Sequence, residues 1–267
     1  MSAPFDPLAE RYDAEFTGSA IGRAQRNAVW RHLSRIPLSG ASVLDLGCGT
    51  GEDAVWLAGR GAKVFAIDSS EEMIRVARRK TASAGLGEKI SFLRMPIEEL
   101  EERGPDLPGG PFDLALSNFA ALDCVDDPAL PGRALQLLIR PGGRVIAVVF
   151  APLCIWEMVW YSARLDPRRA FRRLRGRGEA SLGPSTFPVR YEGARGVARG
   201  LGEGFRLRER LGVGLLVPPS YTSGLFGQSP GIVRFLAEVE RPFLRLAAPL
   251  ADHLLLDFER LEGGGSG

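Results

Sequence analysis

The chain has 267 residues, 45% of them apolar and 25% charged, ordinary globular values that exclude a disordered or collagen-like chain and a multi-span membrane protein. Lysine and arginine total 34 against 32 acidic residues, so a net charge of +2 gives no whole-molecule attraction to nucleic acid, which is not expected as a partner. The three cysteines, Cys48, Cys124 and Cys154, form no CxxC pair. That excludes a disulfide framework or zinc site and points to a reducing cytoplasm, with no metal expected.

Residues 1–40 read as an amino-terminal helical cover. MSAPFDPLAERYDAEF carries charges where the apolar core of a signal peptide would stand. Leu8, Tyr12, Ala24, Ala28 and Leu33 fall on rough helical spacing over 8–36, with Gly18 as a break. Residues 41–150 alternate strands with helices. SVLDLG is a strand, CGTG a glycine turn, EDAVWLAGR a helix closed by Gly59 or Gly61, and KVFAID a second strand. Ser69 with Glu72 predicts a capping box opening a helix whose inner face carries Met73, Ile74, Val76 and Ala77. ISFLRM and FDLALSNF are the third and fourth strands, PALPGRALQLLI a helix. Pro141-Gly142-Gly143 turns into a fifth strand, RVIAVVF.

The stretch 145–163 has the length of a membrane span. Pro152 and Glu157 interrupt it, so it reads as a buried strand running into an amphipathic helix. Regular alternation then stops, and 151–204 reads as an inserted lid. Within it Arg168, Arg169, Arg172 and Arg173 predict one basic stripe on a helix, anchored by Phe171 and Leu174. Such a stripe is a solvated face, a hold on an anionic substrate, or a peripheral membrane contact beside the apolar IWEMVWY helix. Residues 205–260 return to order. FRLRERLGV is a strand, IVRFLAEVERPFLRLAA a helix interrupted at Pro242, and HLLLDFERL a last strand pairing antiparallel at the sheet edge. Residues 261–267, containing GGGSG, have the composition of a flexible tail. The fold class is α/β: a doubly wound, mostly parallel, seven-stranded Rossmann-like sheet. An amino-terminal helical segment precedes it, and the lid lies between strands 5 and 6.

The most informative segment is Val43-Leu44-Asp45-Leu46-Gly47-Cys48-Gly49-Thr50-Gly51. A glycine turn between strand and helix lets a ligand lie against bare backbone, and the amides opening the helix favour a negative group. Asp68 ends the second strand, 21 residues after Gly47. An acid there can accept both hydroxyls of a ribose. The spacing is G-x-G-x-G and not the dinucleotide G-x-G-x-x-G. Asp45 is a poor neighbour for a pyrophosphate and a good one for an ammonium group. Ribose, carboxylate and ammonium in one ligand describe S-adenosylmethionine (SAM).

VLDLGCGTG followed by GAKVFAIDSSEEMIRVAR resembles the class I SAM-dependent methyltransferases, within them the small-molecule, type 11 or quinone-biosynthesis-like group. The likeness covers about 41–150 and reaches more weakly to AERYD. It implies SAM as cofactor and S-adenosylhomocysteine as product. It also implies that Gly47, Cys48, Gly49 and Gly51 border the methionine part, with Asp45 near the ammonium. By the same likeness Asp68 meets the ribose, Ser69 and Met73 flank the adenine, and Tyr12 closes over the cofactor. After the third strand the family usually carries an acidic or polar residue. Met95-Pro96-Ile97 stands here instead, leaving the Ile97 amide to meet the ring and Met95 to pack on its face.

Ser117 and Asn118 end the fourth strand where the methyl should emerge. Asn118 is a cofactor-loop residue or a satisfied turn residue. The Asn-Pro-Pro-Tyr of amino-group methyltransferases is absent there. Pro218-Pro219-Ser220-Tyr221 resembles it but follows the sixth strand. Methyl transfer needs a base only when the acceptor must lose a proton. His32, His253, Asp123, Glu157 and Tyr161 are the candidates, none of which the sequence singles out, and His253 reads as an edge or core residue. The expected function is methyl transfer to a small-molecule or lipid-like acceptor. The alternatives are a nicotinamide-dependent oxidoreductase and a SAM-binding protein without turnover.

Overall fold

The computed structural model describes residues 5–127, 129–182, 185–220 and 229–263. Its strands are β1 (Ser42–Leu46), β2 (Lys63–Asp68), β3 (Ile90–Arg94), β4 (Phe112–Ser117), β5 (Ile139–Phe150), β6 (Arg177–Leu182), β7 (Ser185–Arg190), β8 (Phe205–Val213) and β9 (His253–Arg260). Seven form one sheet in the order β3-β2-β1-β4-β5-β9-β8, and β6 and β7 form a separate hairpin. β1 to β5 pair in parallel; β9 runs antiparallel to both β5 and β8. The strand order reverses between β1 and β4, so a crevice opens beyond their carboxyl ends, beside the glycine turn.

The continuous apolar runs are explained by helices on both faces. Leu44, Leu46, Ile67, Phe112, Val145 and Phe258 point into one core, and Val43, Val64, Ala66, Leu114, Ile146 and Leu255 into the other. Each such side chain contributes about 1.5–3 kcal/mol by leaving water. The period of two also puts Asp45 on the Val43 face, away from the face of Leu44 and Leu46.

The helices are α1 (Ala9–Tyr12), α2 (Ala20–Leu33), α3 (Glu52–Ala58), α4 (Glu71–Ser83), α5 (Leu100–Arg103), α6 (Ala129–Leu138), α7 (Ile155–Ser162), α8 (Pro167–Ala170), α9 (Gly193–Leu201) and α10 (Pro230–Val239). The amino-terminal helix is in fact broken at Gly18. A π-type turn over Asp13–Thr17 ends there, and Ser19 caps α2 by accepting the Gly22 amide at 2.9 Å. The cap of α4 is Ser70, not Ser69. Asp68 Oδ1 accepts the Ser70 amide at 2.9 Å, Ser70 keeps an extended backbone, and its hydroxyl accepts the Met73 amide at 3.1 Å. β5 starts before the predicted turn, at Ile139, with a register shift against β4 between Phe112 and Leu114.

The predicted arginine stripe does not form. The chain is helical only over Pro167–Ala170 and turns as a 3-10 segment through Arg172–Arg175. Leu165 and Gly176 take left-handed backbones on either side. A single face over 168–173 is therefore lost, and Arg172 and Arg173 turn inward. Within 151–204 the hairpin leans over the carboxyl ends of the strands, whereas α9 packs into the core through Val197 and Leu201. Among the described residues no helix is long and apolar enough to cross a membrane.

Candidate active site

The glycine turn is built by its backbone. Gly47, Gly49 and Gly51 all adopt positive φ, which L side chains rarely take. A Cβ at Gly47 would lie 2.5 Å from the Ala121 Cβ, and one at Gly51 2.9 Å from the Ala77 Cβ. Gly49 faces open space. Gly51 thus lets α4 approach, and Gly49 is the position where backbone is presented to a ligand. Asp68 Oδ2 accepts the Gly49 amide at 2.8 Å. Burial pushes the Asp68 carboxyl up, against the Ser70 and Gly49 amides that pull it down. Each oxygen keeps a second lone pair for a ligand hydroxyl.

A cavity of about 410 Å³ lies over this turn. Of the predicted residues, Tyr12, Gly47, Gly49, Asp68, Ser69, Met73, Ile97 and Asn118 line it. Asp45, Cys48, Gly51, Met95, Pro96 and Ser117 do not. Met95 is wholly buried and Gly51 packs on α4, so both shape the wall from behind. Cys48 is buried on the core side, and burial pushes its thiol well up. Pro96 caps a 3-10 turn that carries Ile97 into the cavity. Ser117 is buried with its hydroxyl unpartnered among the described residues. Asp45 is 1% exposed, with Oδ2 likewise unpartnered. Burial, then the neighbouring Asp53 carboxylate, raises its carboxyl well above the usual range. An orphaned acceptor beneath a glycine turn fits a cationic group above it or a bridging water.

Asn118 is both satisfied and cavity-lining: its Nδ2 donates to Asp53 at 2.9 Å and its Oδ1 accepts the Phe119 amide at 3.0 Å. Asp53 also takes the Trp30 indole N–H at 2.7 Å and pairs with buried Arg26. Phe119 and Ala120 have φ of 49° and 67°, a strained backbone at the cavity wall. The roof comes from both ends of the chain. Phe5 of the amino-terminal segment meets Phe187 of β7 with ring centroids 4.7 Å apart. Asp13 ties that segment down, accepting the Thr50 hydroxyl at 2.6 Å and pairing with Lys80 at 2.8 Å.

Periodicity missed the far half of the cavity, formed by Phe16, Phe119, Phe150, Arg173, Tyr191 and His253. These residues come from distant segments: His253 and Arg173 stood among the sequence candidates separately, and no spacing joined them to Phe16, Phe119, Phe150 and Tyr191. His253 opens β9, which starts at the same sheet end where β5 finishes, so it faces the cavity. The other candidate bases are committed elsewhere. His32 Nε2 lies 2.7 Å from Asp257, outside the cavity lining. Asp123 accepts the Phe150 amide at 2.6 Å. Glu157 is held by Arg172 and Arg173, each at 2.8 Å, which overrule its burial and keep its carboxyl below the usual range. Tyr161 lies outside the cavity lining, near the Arg169 guanidinium. Pro219 and Ser220 line the cavity, and Tyr221 lies outside the described residues.

Residues 43–143 match the family described as "Methyltransferase domain". A ubiquinone biosynthesis O-methyltransferase of Xylella fastidiosa (strain 9a5c) is 41% identical over 111 residues, 42% of either chain. A demethylmenaquinone methyltransferase of Clavibacter sepedonicus is 30% identical over 154 residues, 57% of this chain and 58% of that one. The chain thus spans 42% and 58% of the lengths of these two curated relatives. The solved CcbJ methyltransferase from Streptomyces caelestis superposes with a TM-score of 0.65 over 98% of this chain and 99% of its own. At 18% identity that likeness carries the fold alone. Fold, glycine turn and matched segment define a class I SAM-dependent methyltransferase domain. Residues 43–143 match that family's model, and the chain is similar over 111 residues to a ubiquinone-biosynthesis O-methyltransferase.

Proposed function

We propose that the protein transfers a methyl group from SAM to a small-molecule acceptor. The observation that carries this reading is the continuity of one cavity, with Gly49 and Asp68 on its floor and an aromatic chamber beside them. SAM supplies an electrophilic methyl on a sulfonium, and the chain's task is to hold, align and dry the reactants. On this reading Asp68 takes the ribose hydroxyls through its free lone pairs. Gly47 and Gly49 present bare backbone to the amino-acid part, with Asp45 beneath. Ser69, Met73 and Ile97 border the base. Tyr12 and Phe16 close the site from the amino-terminal side and exclude water.

The chamber is walled by Phe16, Phe119 and Phe150, which suits an apolar, flat acceptor. One relative is named for ubiquinone biosynthesis and another for demethylmenaquinone, and a compound related to these is part of the proposal. A membrane contact through Arg168–Arg173 gains no support, because Arg172 and Arg173 are spent on Glu157. A cytoplasmic location is proposed, in keeping with three free cysteines. Incubation with methyl-labelled SAM and fractionated small metabolites tests the reading. A labelled product with equimolar S-adenosylhomocysteine is expected. Tight SAM binding with no transfer to any fraction would favour a binding protein instead.

A further inference from the structure

We propose that His253 is the catalytic base of this methyl transfer, taking the proton of an acceptor hydroxyl on Nε2 while Asp252 fixes the ring from the Nδ1 side. The inference rests on the methyl-transfer reading and adds to it the acceptor's chemistry, a group that must lose a proton.

The geometry is specific. The His253 ring stacks on Phe150 at 4.8 Å and 22°, and meets Phe119 edge-on at 5.7 Å. Two walls of the aromatic chamber therefore hold it. Asp252 Oδ2 lies 3.3 Å from Nδ1, a close electrostatic contact without the alignment of a hydrogen bond. A carboxylate at that distance favours the proton on Nδ1, since the alternative sets two lone pairs face to face. The Nε2 lone pair is then free, and Nε2 has no hydrogen-bond partner among the described residues.

Asp252 is itself fixed. Arg173 donates to Oδ1 at 2.8 Å and to the Asp252 carbonyl at 2.6 Å, and Gln25 donates to Oδ2 at 3.2 Å. Burial opposes its ionisation; the His253 imidazole, most strongly once protonated, and the Arg173 guanidinium overrule it and hold the carboxyl well below the usual range. The charged groups around the ring are balanced: Arg172 and Arg173 face Glu157 and Asp252. Asp123 sits behind Phe150, where burial pushes its carboxyl well up. Tyr191 packs on Phe150, and Arg26 lies over Phe119. With those charges paired off, a proton gained by the imidazole adds one positive charge, and the Asp252 carboxylate 3.3 Å from Nδ1 is the group placed to stabilise it.

In the step, the acceptor O–H bond breaks and its proton goes to His253 Nε2. The oxygen's electron pair forms the new bond to the methyl carbon, and the carbon–sulfur pair stays on sulfur. The imidazolium later returns its proton to water. An amine already bearing a free lone pair would need no such partner, so the site fits an acidic hydroxyl.

The test uses the full chain, SAM, and a fractionated small-metabolite extract as the acceptor source. His253→Gln is expected to keep SAM affinity by calorimetry and to lose labelling at least 100-fold. The loss should shrink as pH rises and the hydroxyl ionises unaided. Labelling equal to wild type, with the same pH profile, overturns the proposal. No labelling by the wild type instead removes the methyl-transfer reading, and the proposal with it. A second measurement does not depend on that variant folding. Nitrogen-15 NMR of the two histidines, with His32→Asn for assignment, should show His253 as the Nδ1–H tautomer at neutral pH. Asp252→Asn should weaken that preference. An Nε2–H tautomer in the wild type, or a preference untouched by Asp252→Asn, overturns it.

Discussion

Asp68 Oδ2 accepts the amide proton of Gly49 at 2.8 Å, while the other oxygen of the same carboxylate holds the Ser70 amide at 2.9 Å. The strand-tip acid is thus bonded to the glycine turn and to the cap of α4 before any ligand arrives. It positions the glycine turn and the start of α4 at once.

Asp68→Ala should therefore do two things. Losing an acceptor for two hydroxyls should weaken SAM binding by about 2–4 kcal/mol, roughly 30- to 1000-fold. Orphaning two amides should also destabilise the fold, by about 1–3 kcal/mol for each that stays dry. Calorimetry and thermal melting check the two effects separately.

The glycines should divide by role. Gly51→Ala meets the Ala77 Cβ on α4, so it should lower the melting temperature. Gly49→Ala meets nothing within 4 Å, and its cost is confined to a φ of +52°, about 1–2 kcal/mol. Its larger effect should be a loss of SAM affinity, since the methyl would stand where ligand is expected. Equal stability loss and intact binding in both variants would reassign the turn to structure alone.

The sequence made the donor half of the site legible because its signals are local. VLDLGCGTG and the acid ending KVFAID lie in adjacent βα units, and one rule of topology joins them. Asp45 shows the limit of that reading. The motif ranked it with the glycines, yet strand alternation turns it to the opposite face, beneath the loop. The acceptor half assembles from Phe16, Phe119, Phe150 and His253, which no sequence spacing relates. The arginine stripe failed for a physical reason. Glu157 is buried on α7 and needs partners, and Arg172 and Arg173 satisfy it by breaking the helix that the i, i+4 pattern implied.

The arginines should accordingly separate by burial. Arg173 is 3% exposed and bonded to Glu157 and Asp252. Arg173→Met should cost about 3–5 kcal/mol, because it leaves buried carboxylates unpaired. Arg168→Gln with Arg169→Gln should leave the urea midpoint unchanged within scatter.

Acid stability should report the same network. Glu157 and Asp252 both have carboxyls held below their ordinary values of 4.5 and 3.8. A depressed folded-state value means stabilisation is present above the ordinary value and is lost as pH falls through the folded one. Glu157→Gln and Asp252→Asn should each be less stable than wild type at neutral pH, with the gap closing on acidification. Urea midpoints measured from pH 7 downward check this.

The most direct measurement is calorimetric titration of the full chain with SAM, S-adenosylhomocysteine and NADH. SAM and S-adenosylhomocysteine should each bind one site per chain, Asp68→Ala should abolish or greatly weaken both, and NADH should give no heat. Saturable NADH binding without SAM binding would contradict the assignment of the glycine turn and Asp68 to a methyl donor.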